Sequence, residues 1–206
     1  MKNEIGSLPE LVANVLVGFV DIVSSTALLN AQGLAADYRM KEAFTAAAAK
    51  RARECGVTLI NSTGDGFLFT LDSGENRAAR LAEFARLLSE DFRKLLAGAP
   101  VAIESGLRFG VARGSVLRGT TSHGGQSERL ITGPVVNMAS RLCDLADTGE
   151  MIVCDRAFAE MGGSLRVTDK TECRLKGFAA AVDTYHLEVA PVSGPHSSMY
   201  EARLAG

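Results

Sequence analysis

Two aspartates stand where a folded chain could bring them together. Asp21 follows the apolar, β-rich run 15–20 (Val-Leu-Val-Gly-Phe-Val), which reads as a buried strand. Asp65 lies in Asn61-Ser-Thr-Gly-Asp-Gly66, between the strand-like stretches 57–60 and 67–71, and Asp65-Gly66 is a hairpin-turn signal. If the first strand lies beside that hairpin, strand end and turn meet at one edge of a sheet. Two carboxylates there repel each other. Hard divalent cations, which want oxygen ligands, relieve the repulsion. A pair of Mg²⁺ or Mn²⁺ ions could activate an attacking oxygen and stabilise a leaving phosphate oxygen. An Asp-Gly turn or a strand-end Asp alone is common without function, so the pair gains meaning only from its surroundings.

Those surroundings suit phosphate. Ser24, Ser25 and Thr26 follow Asp21 where a helix should begin, and the serines have N-cap chemistry. Free backbone N–H groups at a helix N-terminus favour anions, so the three residues are candidate phosphate contacts. Further on, Asn137-Met-Ala-Ser-Arg141 places an amide and a guanidinium at i, i+4, on one face of a helix. An Arg there can clamp phosphate oxygens and an Asn can orient a sugar or a phosphate, although the same spacing recurs on many solvated helices.

The elements that must position these groups follow from pattern. Residues 34–54, rich in Ala, Lys, Glu and Arg, read as a long helix closed by Gly56. Ser73 is expected to cap a second helix over 75–96, with Leu81, Phe84, Leu88 and Phe92 at helical spacing. A strand is expected over 102–112, continued by or paired with 114–117, and 119–126 reads as a flexible loop. Residues 134–145 form a helix with Pro134 near its first turn. Strands follow at 151–154, 165–168 and 184–189, with a helix at 156–161. This order predicts an α+β sandwich of the ferredoxin-like, split βαβ (palm-type) kind, helices packed on a mostly antiparallel sheet. Residues 1–10 are a lead-in, 11–190 one domain and 191–206 a C-terminal tail.

Composition narrows the partners. The chain has 206 residues, 47% of them hydrophobic, and a net charge of -2. It can build a core, and it lacks the overall basic field that nucleic acid would require. Cys55, Cys143, Cys154 and Cys173 form no C-x-x-C pair, and His123, His186 and His196 are scattered. Neither a zinc site nor a disulfide framework is expected; buried thiols in a reducing cytosol are. No signal-peptide pattern is present, and the run 15–20 is too short to span a bilayer. The expectation is a cytoplasmic protein with no direct membrane insertion.

Four segments carry a resemblance. Phe19-Val-Asp-Ile-Val-Ser-Ser-Thr26 resembles the first metal motif of the class III adenylyl and guanylyl cyclases, and Ser62-Thr-Gly-Asp-Gly66 resembles their second. Gly133-Pro-Val-Val-Asn-Met-Ala-Ser-Arg-Leu142 is similar to their G-x-x-V-N-x-A-x-R segment, and Arg174-Leu-Lys-Gly177 to their closing L-K-G element. The resemblance implies a cyclase homology domain that closes a nucleoside triphosphate into a 3′,5′-cyclic nucleotide and releases pyrophosphate. It implies two divalent metals per site, Mg²⁺ or Mn²⁺, on Asp21 and Asp65, with the Ile22 carbonyl as an added ligand. It implies Asn137 at the ribose, Arg141 at the α-phosphate and Lys176 at the phosphates. It further implies a homodimer in which the aspartates of one chain meet Asn137, Arg141 and Lys176 of the other.

At the two base-reading positions the chain departs from this family. The Lys four residues before the second metal Asp is Asn61 here, and the Asp or Thr three residues before the glycine of the helix motif is Leu130. The guanylyl pattern of Glu and Cys is absent too. Asn donates and accepts where Lys only donates. Leu leaves a purine amine without a partner, at a cost of about 1–3 kcal/mol if that amine is buried. Three readings stay open. One is a pyrimidine cyclase that makes cUMP or cCMP from UTP or CTP; it resembles the small stand-alone cyclases of bacterial antiphage systems, whose product activates a downstream effector. Another is an adenylyl cyclase that reads ATP through backbone groups near 130–132. The third is a degenerate homologue that only binds nucleotide or dimerises, and the joint presence of Asp21, Asp65, Asn137, Arg141 and Lys176 argues against it.

Overall fold

The apolar run 15–20 becomes the middle of β1 (Glu10–Ile22), and its residues 15–18 are buried on both sides, so the strand lies inside a sheet. The computed structural model describes residues 8–62, 64–99, 104–123, 126–161 and 163–189, with the backbone alone at 122, 123, 126 and 127. Residues 1–7 of the expected lead-in and the expected tail 191–206 lie outside the described residues. After β1 come α1 (Ser25–Gln32) and α2 (Leu34–Cys55). Gly56 closes α2 in the left-handed conformation, with its N–H on the Arg53 carbonyl and that of Val57 on Ala52. The expected hairpin is β2 (Thr58–Ser62) and β3 (Gly66–Leu71). Then follow α3 (Arg77–Ala97), β4 (Leu107–His123), β5 (Gln126–Thr132), α4 (Pro134–Leu145), β6 (Glu150–Cys154), α5 (Asp155–Met161), β7 (Arg166–Cys173) and β8 (Val182–Glu188).

The strands run in the order β2-β3-β1-β4-β6-β8-β7, with β5 paired to β4. Only β4 and β6 pair in parallel among the described strands. The first four strands, with α2 and α3 as crossovers, form the split βαβ sandwich, and the sheet is mostly antiparallel as expected. One face carries α2 and α3. Phe67 and Phe69 of β3 meet Phe44 and Phe84 there, and Phe44 also packs on Phe92, with ring centroids 5.3 Å apart in each pair. Gly18 lies opposite Phe69 in register and leaves the space that the Phe69 ring fills. The other face carries α4. Gly110, opposite Phe19 of β1, lies so close beneath it that a Cβ would overlap the Cys143 nitrogen and the Ala139 carbonyl. Side chains alternate along a strand, so Asp21 and Arg108, two residues beyond Phe19 and before Gly110, belong to this α4 face.

Three local expectations are corrected. Ser73 does not cap α3; the N-cap position is Asn76, left-handed at φ 53 and without a side-chain cap bond. Strand β4 begins at Leu107 among the described residues, and 102–103 lie outside them. Of the expected loop 119–126, residues 119–123 and 126 lie in strands, β4 and β5 pairing residue for residue from Leu117↔Thr132 to His123↔Gln126, and 124–125 lie outside the described residues. Its Gly and Ser content suggested a break, but Thr favours a pleated strand, and ladder hydrogen bonds offset the entropy that glycine loses.

Candidate active site

Asp21 is the penultimate residue of β1, opposite Gly66 of β3 on one side and Arg108 of β4 on the other. Asp65 sits at the hairpin turn, and its carbonyl accepts the Ile22 N–H at 3.2 Å. Strand end and turn therefore meet, and the carboxylates feel each other. Burial raises the pKa of Asp21, the Arg108 hydrogen bonds and charge pull it back, and the Asp65 carboxyl pushes it up again, leaving it above the ordinary 3.8. Ile22 is 2% exposed, so only its backbone can face a ligand.

The start of α1 is wired differently from the expected cap. Ser24 holds the N-cap position in left-handed conformation, φ 60, with no side-chain cap bond. The Ser25 hydroxyl donates instead to Asp65 Oδ2, at 2.5 Å. Ser24 and Thr26 are exposed. Ser25 thus orients a candidate metal ligand rather than the helix.

The donor set suits a hard divalent cation. It holds two adjacent carboxylates, and among the described residues no group of three or more His, Cys, Asp or Glu could hold a metal by itself. An ion of the Mg²⁺ type is bound through one or two carboxylates plus waters and substrate phosphates, which is what this edge can offer. Cys55, Cys143 and Cys154 are buried and Cys173 half-buried, and burial pushes the Cys143 thiol up to about 12, far from a reactive thiolate.

Arg108 is a site residue that sequence reasoning missed. Its Nε and Nη2 donate to Asp21 Oδ2 at 2.9 and 2.6 Å, and its Nη1 reaches the Asp144 carbonyl at 3.2 Å. The available signal was a lone charge inside the apolar strand Leu107-Arg108-Phe109, but only the strand register names its partner.

The other candidates gather on α4 and the segment after β7. Val135, Ala139, Leu142 and Cys143 turn inward, so Asn137 and Arg141 look outward. With Lys176 they line a cleft of about 650 Å³, walled also by Thr132 and Phe178. Neither Asp21 nor Asp65 borders it. Arg141 Nη1 lies 3.1 Å from Asp144 Oδ2 in an exposed pair. Asn61 is exposed on β2, opposite Leu68 beyond a register shift, and Leu130 is 53% exposed on β5, opposite Gly119. Strands β2 and β5 lie in contact, so these two positions ride on neighbouring elements, outside the cleft lining. No helix among the described residues is long and apolar enough to cross a membrane.

Residues 9–189 match the family model of the adenylate and guanylate cyclase catalytic domain. No curated protein matches the chain in sequence. Its fold is similar to that of the adenylyl cyclase CyaB from P. aeruginosa, at 19% identity and a TM-score of 0.79, over 90% of this chain and 99% of that one. It is similar to the guanylyl cyclase Cya2, at 16% identity and a TM-score of 0.77, over 93% and 98% of the two chains. It is also similar to the guanylate cyclase domain of RhGC from Catenaria anguillulae, in complex with GTP, at 20% identity and a TM-score of 0.72, over 86% and 97%. Such identities speak for the fold and do not choose a base. The family typically uses divalent metals, acts on nucleoside triphosphates and dimerises. With its family model spanning nearly all of the described residues, the chain belongs to the class III nucleotidyl cyclases as an adenylate and guanylate cyclase catalytic domain, and is a phosphorus–oxygen lyase.

Proposed function

We propose that the chain cyclises UTP or CTP at a site shared by two copies of itself, and that the cUMP or cCMP formed is a second messenger in antiphage defence, read by a downstream effector. The observation that carries the shared site is the division of the candidates. The acidic pair, Asp21 and Asp65, sits at the end of β1, whereas Asn137, Arg141 and Lys176 line a cleft that neither aspartate borders. A triphosphate needs both halves. In a symmetric dimer the acidic pair of each chain can face the partner's cleft, giving two sites.

In the reaction the substrate's 3′-oxygen bonds to its own α-phosphorus. The bond from that phosphorus to the bridging oxygen breaks, pyrophosphate leaves with the electron pair, and the hydroxyl proton passes to water. Arg141 faces the α-phosphate oxygens, where its fork meets the charge that builds in the transition state. Asn137 holds the ribose so that the 3′-oxygen lies in line, and Lys176 neutralises the outer phosphates. The backbone at Ser24, Ser25 and Thr26 offers the phosphates a helix N-terminus. Two Mg²⁺ or Mn²⁺ ions, held by Asp21, Asp65 and the Ile22 carbonyl, would supply activation of the attacking oxygen and charge neutralisation on the leaving group.

The choice of a pyrimidine rests on Leu130 and Asn61. Both are exposed and able to meet a substrate, and Leu130 offers no acceptor to an exocyclic base amine, a loss that uracil, which has none, does not incur. One observation favours a second reading, adenylyl cyclase activity on ATP. Strand β5 pairs with β4 alone among the described strands, which supports a base read by backbone groups on its outer edge near 130–132. Purified protein with Mn²⁺ and each of the four triphosphates in turn, with products separated by chromatography, decides. Cyclic product from UTP or CTP alone supports the proposal, and product from ATP alone supports the second reading. Nucleotide bound without product from any of the four would mark a degenerate homologue.

A further inference from the structure

Asp21 does not wait uncompensated for a metal. Arg108 directs two N–H groups at a single oxygen, Oδ2, and is steadied from behind by the Asp144 carbonyl. The two side chains are 26% and 24% exposed, so the ion pair is partly withdrawn from water. Asp65 is engaged separately, through Ser25. One of the two carboxylate oxygens of Asp21, Oδ2, is therefore already held by a cation belonging to the protein.

We infer that Arg108 gates metal entry: its guanidinium must leave Asp21 Oδ2 before an ion can bind there, and this makes the site select divalent over monovalent cations. The physical reason is an exchange. A K⁺ or Na⁺ ion would replace one positive charge by another and forfeit two charge-assisted hydrogen bonds, which are about twice as strong as neutral ones. A divalent ion brings a second charge to two carboxylates, and that gain offsets the loss of the pair. The displaced guanidinium keeps a resting place at the Asp144 carbonyl, so it can swing aside without losing every partner. The inference rests on the metal role proposed for Asp21, and its test separates the two.

The measurement is Mn²⁺ binding to the full chain without nucleotide, read from the electron paramagnetic resonance of the free ion. It compares wild type, Arg108→Gln, Arg108→Lys and Asp21→Asn, with circular dichroism as the check on folding. Arg108→Gln should bind Mn²⁺ about five- to tenfold more tightly than wild type, the scale of a partly exposed ion pair no longer in competition. Arg108→Lys keeps the charge and loses the two-pronged grip, so it should fall between them. Added K⁺ should weaken Mn²⁺ binding more in Arg108→Gln than in wild type. Folded Arg108 variants that bind Mn²⁺ no more tightly than wild type overturn the gate, and if Arg108→Gln does not fold, Arg108→Lys alone decides. Loss of Mn²⁺ binding in Asp21→Asn supports the metal site independently of Arg108. Unchanged binding in Asp21→Asn sinks the metal role and the gate together.

Discussion

An arginine tied by an exposed ion pair is easily taken over by a stronger anion. The bond from Arg141 to Asp144 joins two side chains that are each about half exposed, and such a tie contributes little. Arg141 can therefore turn to a phosphate as charge develops on it. Arg141→Ala should lower kcat about 100-fold or more while changing KM only a few-fold, since what is lost is stabilisation of the transition state. Asp65→Ala should abolish turnover and leave the melting temperature and the dimer nearly unchanged, because Asp65 sits at a hairpin turn rather than in the core. Initial-rate kinetics and thermal melts on the same preparations check both. A raised KM at unchanged kcat would reassign Arg141 to ground-state binding. At this scale the sequence was most readable where spacing carries chemistry, as from Asn137 to Arg141 or within Gly64-Asp65-Gly66. It was silent on Arg108, whose partner lies 87 residues away and is chosen by strand register alone.

Position on an element decides whether such residues work at all. Helix α4 holds Asn137 and Arg141 at the cleft because Gly110 lets it settle onto β4, where any Cβ would collide with backbone rather than with a yielding side chain. Gly110→Val should destabilise the fold by about 3 kcal/mol, the upper range for overpacking, and should lift α4 enough to cost activity in the folded fraction. Denaturant midpoints with unchanged slopes would check the first part. Helix α4 was legible because Pro134, an apolar stripe and an outward Asn and Arg agree with one another. The β4–β5 hairpin was not, because Gly-Thr-Thr-Ser reads as a break locally and only pairing across the strands makes it a ladder. A different tie joins β6, β7 and β8. His186 Nδ1 lies 2.7 Å from Glu150 Oε1, and its Nε2 lies 3.2 Å from the Thr171 hydroxyl. The Glu150 hydrogen bond lifts His186 above 6.5 against the effect of burial, with the charges of Glu150, Asp169 and Asp147 adding to it. A pKa raised on folding means that this stabilisation is complete below 6.5 and fades as pH climbs through the folded value. The gap in melting temperature between wild type and His186→Gln should therefore narrow as pH rises from below 6.5 through that range. A gap that stays constant would place the effect in packing instead.

At the scale of the whole molecule, three exposed leucines group at one end of the sheet among the described residues. Leu11, Leu117 and Leu130 are 70%, 43% and 53% exposed. Leu11 lies opposite Leu117 in register, and Leu130 lies opposite Gly119, two residues further along β4, so the three leucines share a face. Apolar surface grouped in this way is favourably buried, and under the proposed shared site a second copy of the chain would cover it. If each site takes its aspartates from one chain and its Arg141 from the other, the two defects must complement in trans. Asp21→Ala and Arg141→Ala proteins, each inactive alone, would form heterodimers in which one site carries both lesions and the other carries none. Random mixing at equal concentration makes about half the dimers mixed, each with one sound site of two, so activity should recover to about a quarter of the wild-type value per chain. Sites built within a single chain would give no recovery at any ratio. Native mass spectrometry of the mixture distinguishes the cases: mixed dimers present with no activity would rule out the shared site, whereas activity rising in proportion to the mixed dimer would fix which chain supplies each half.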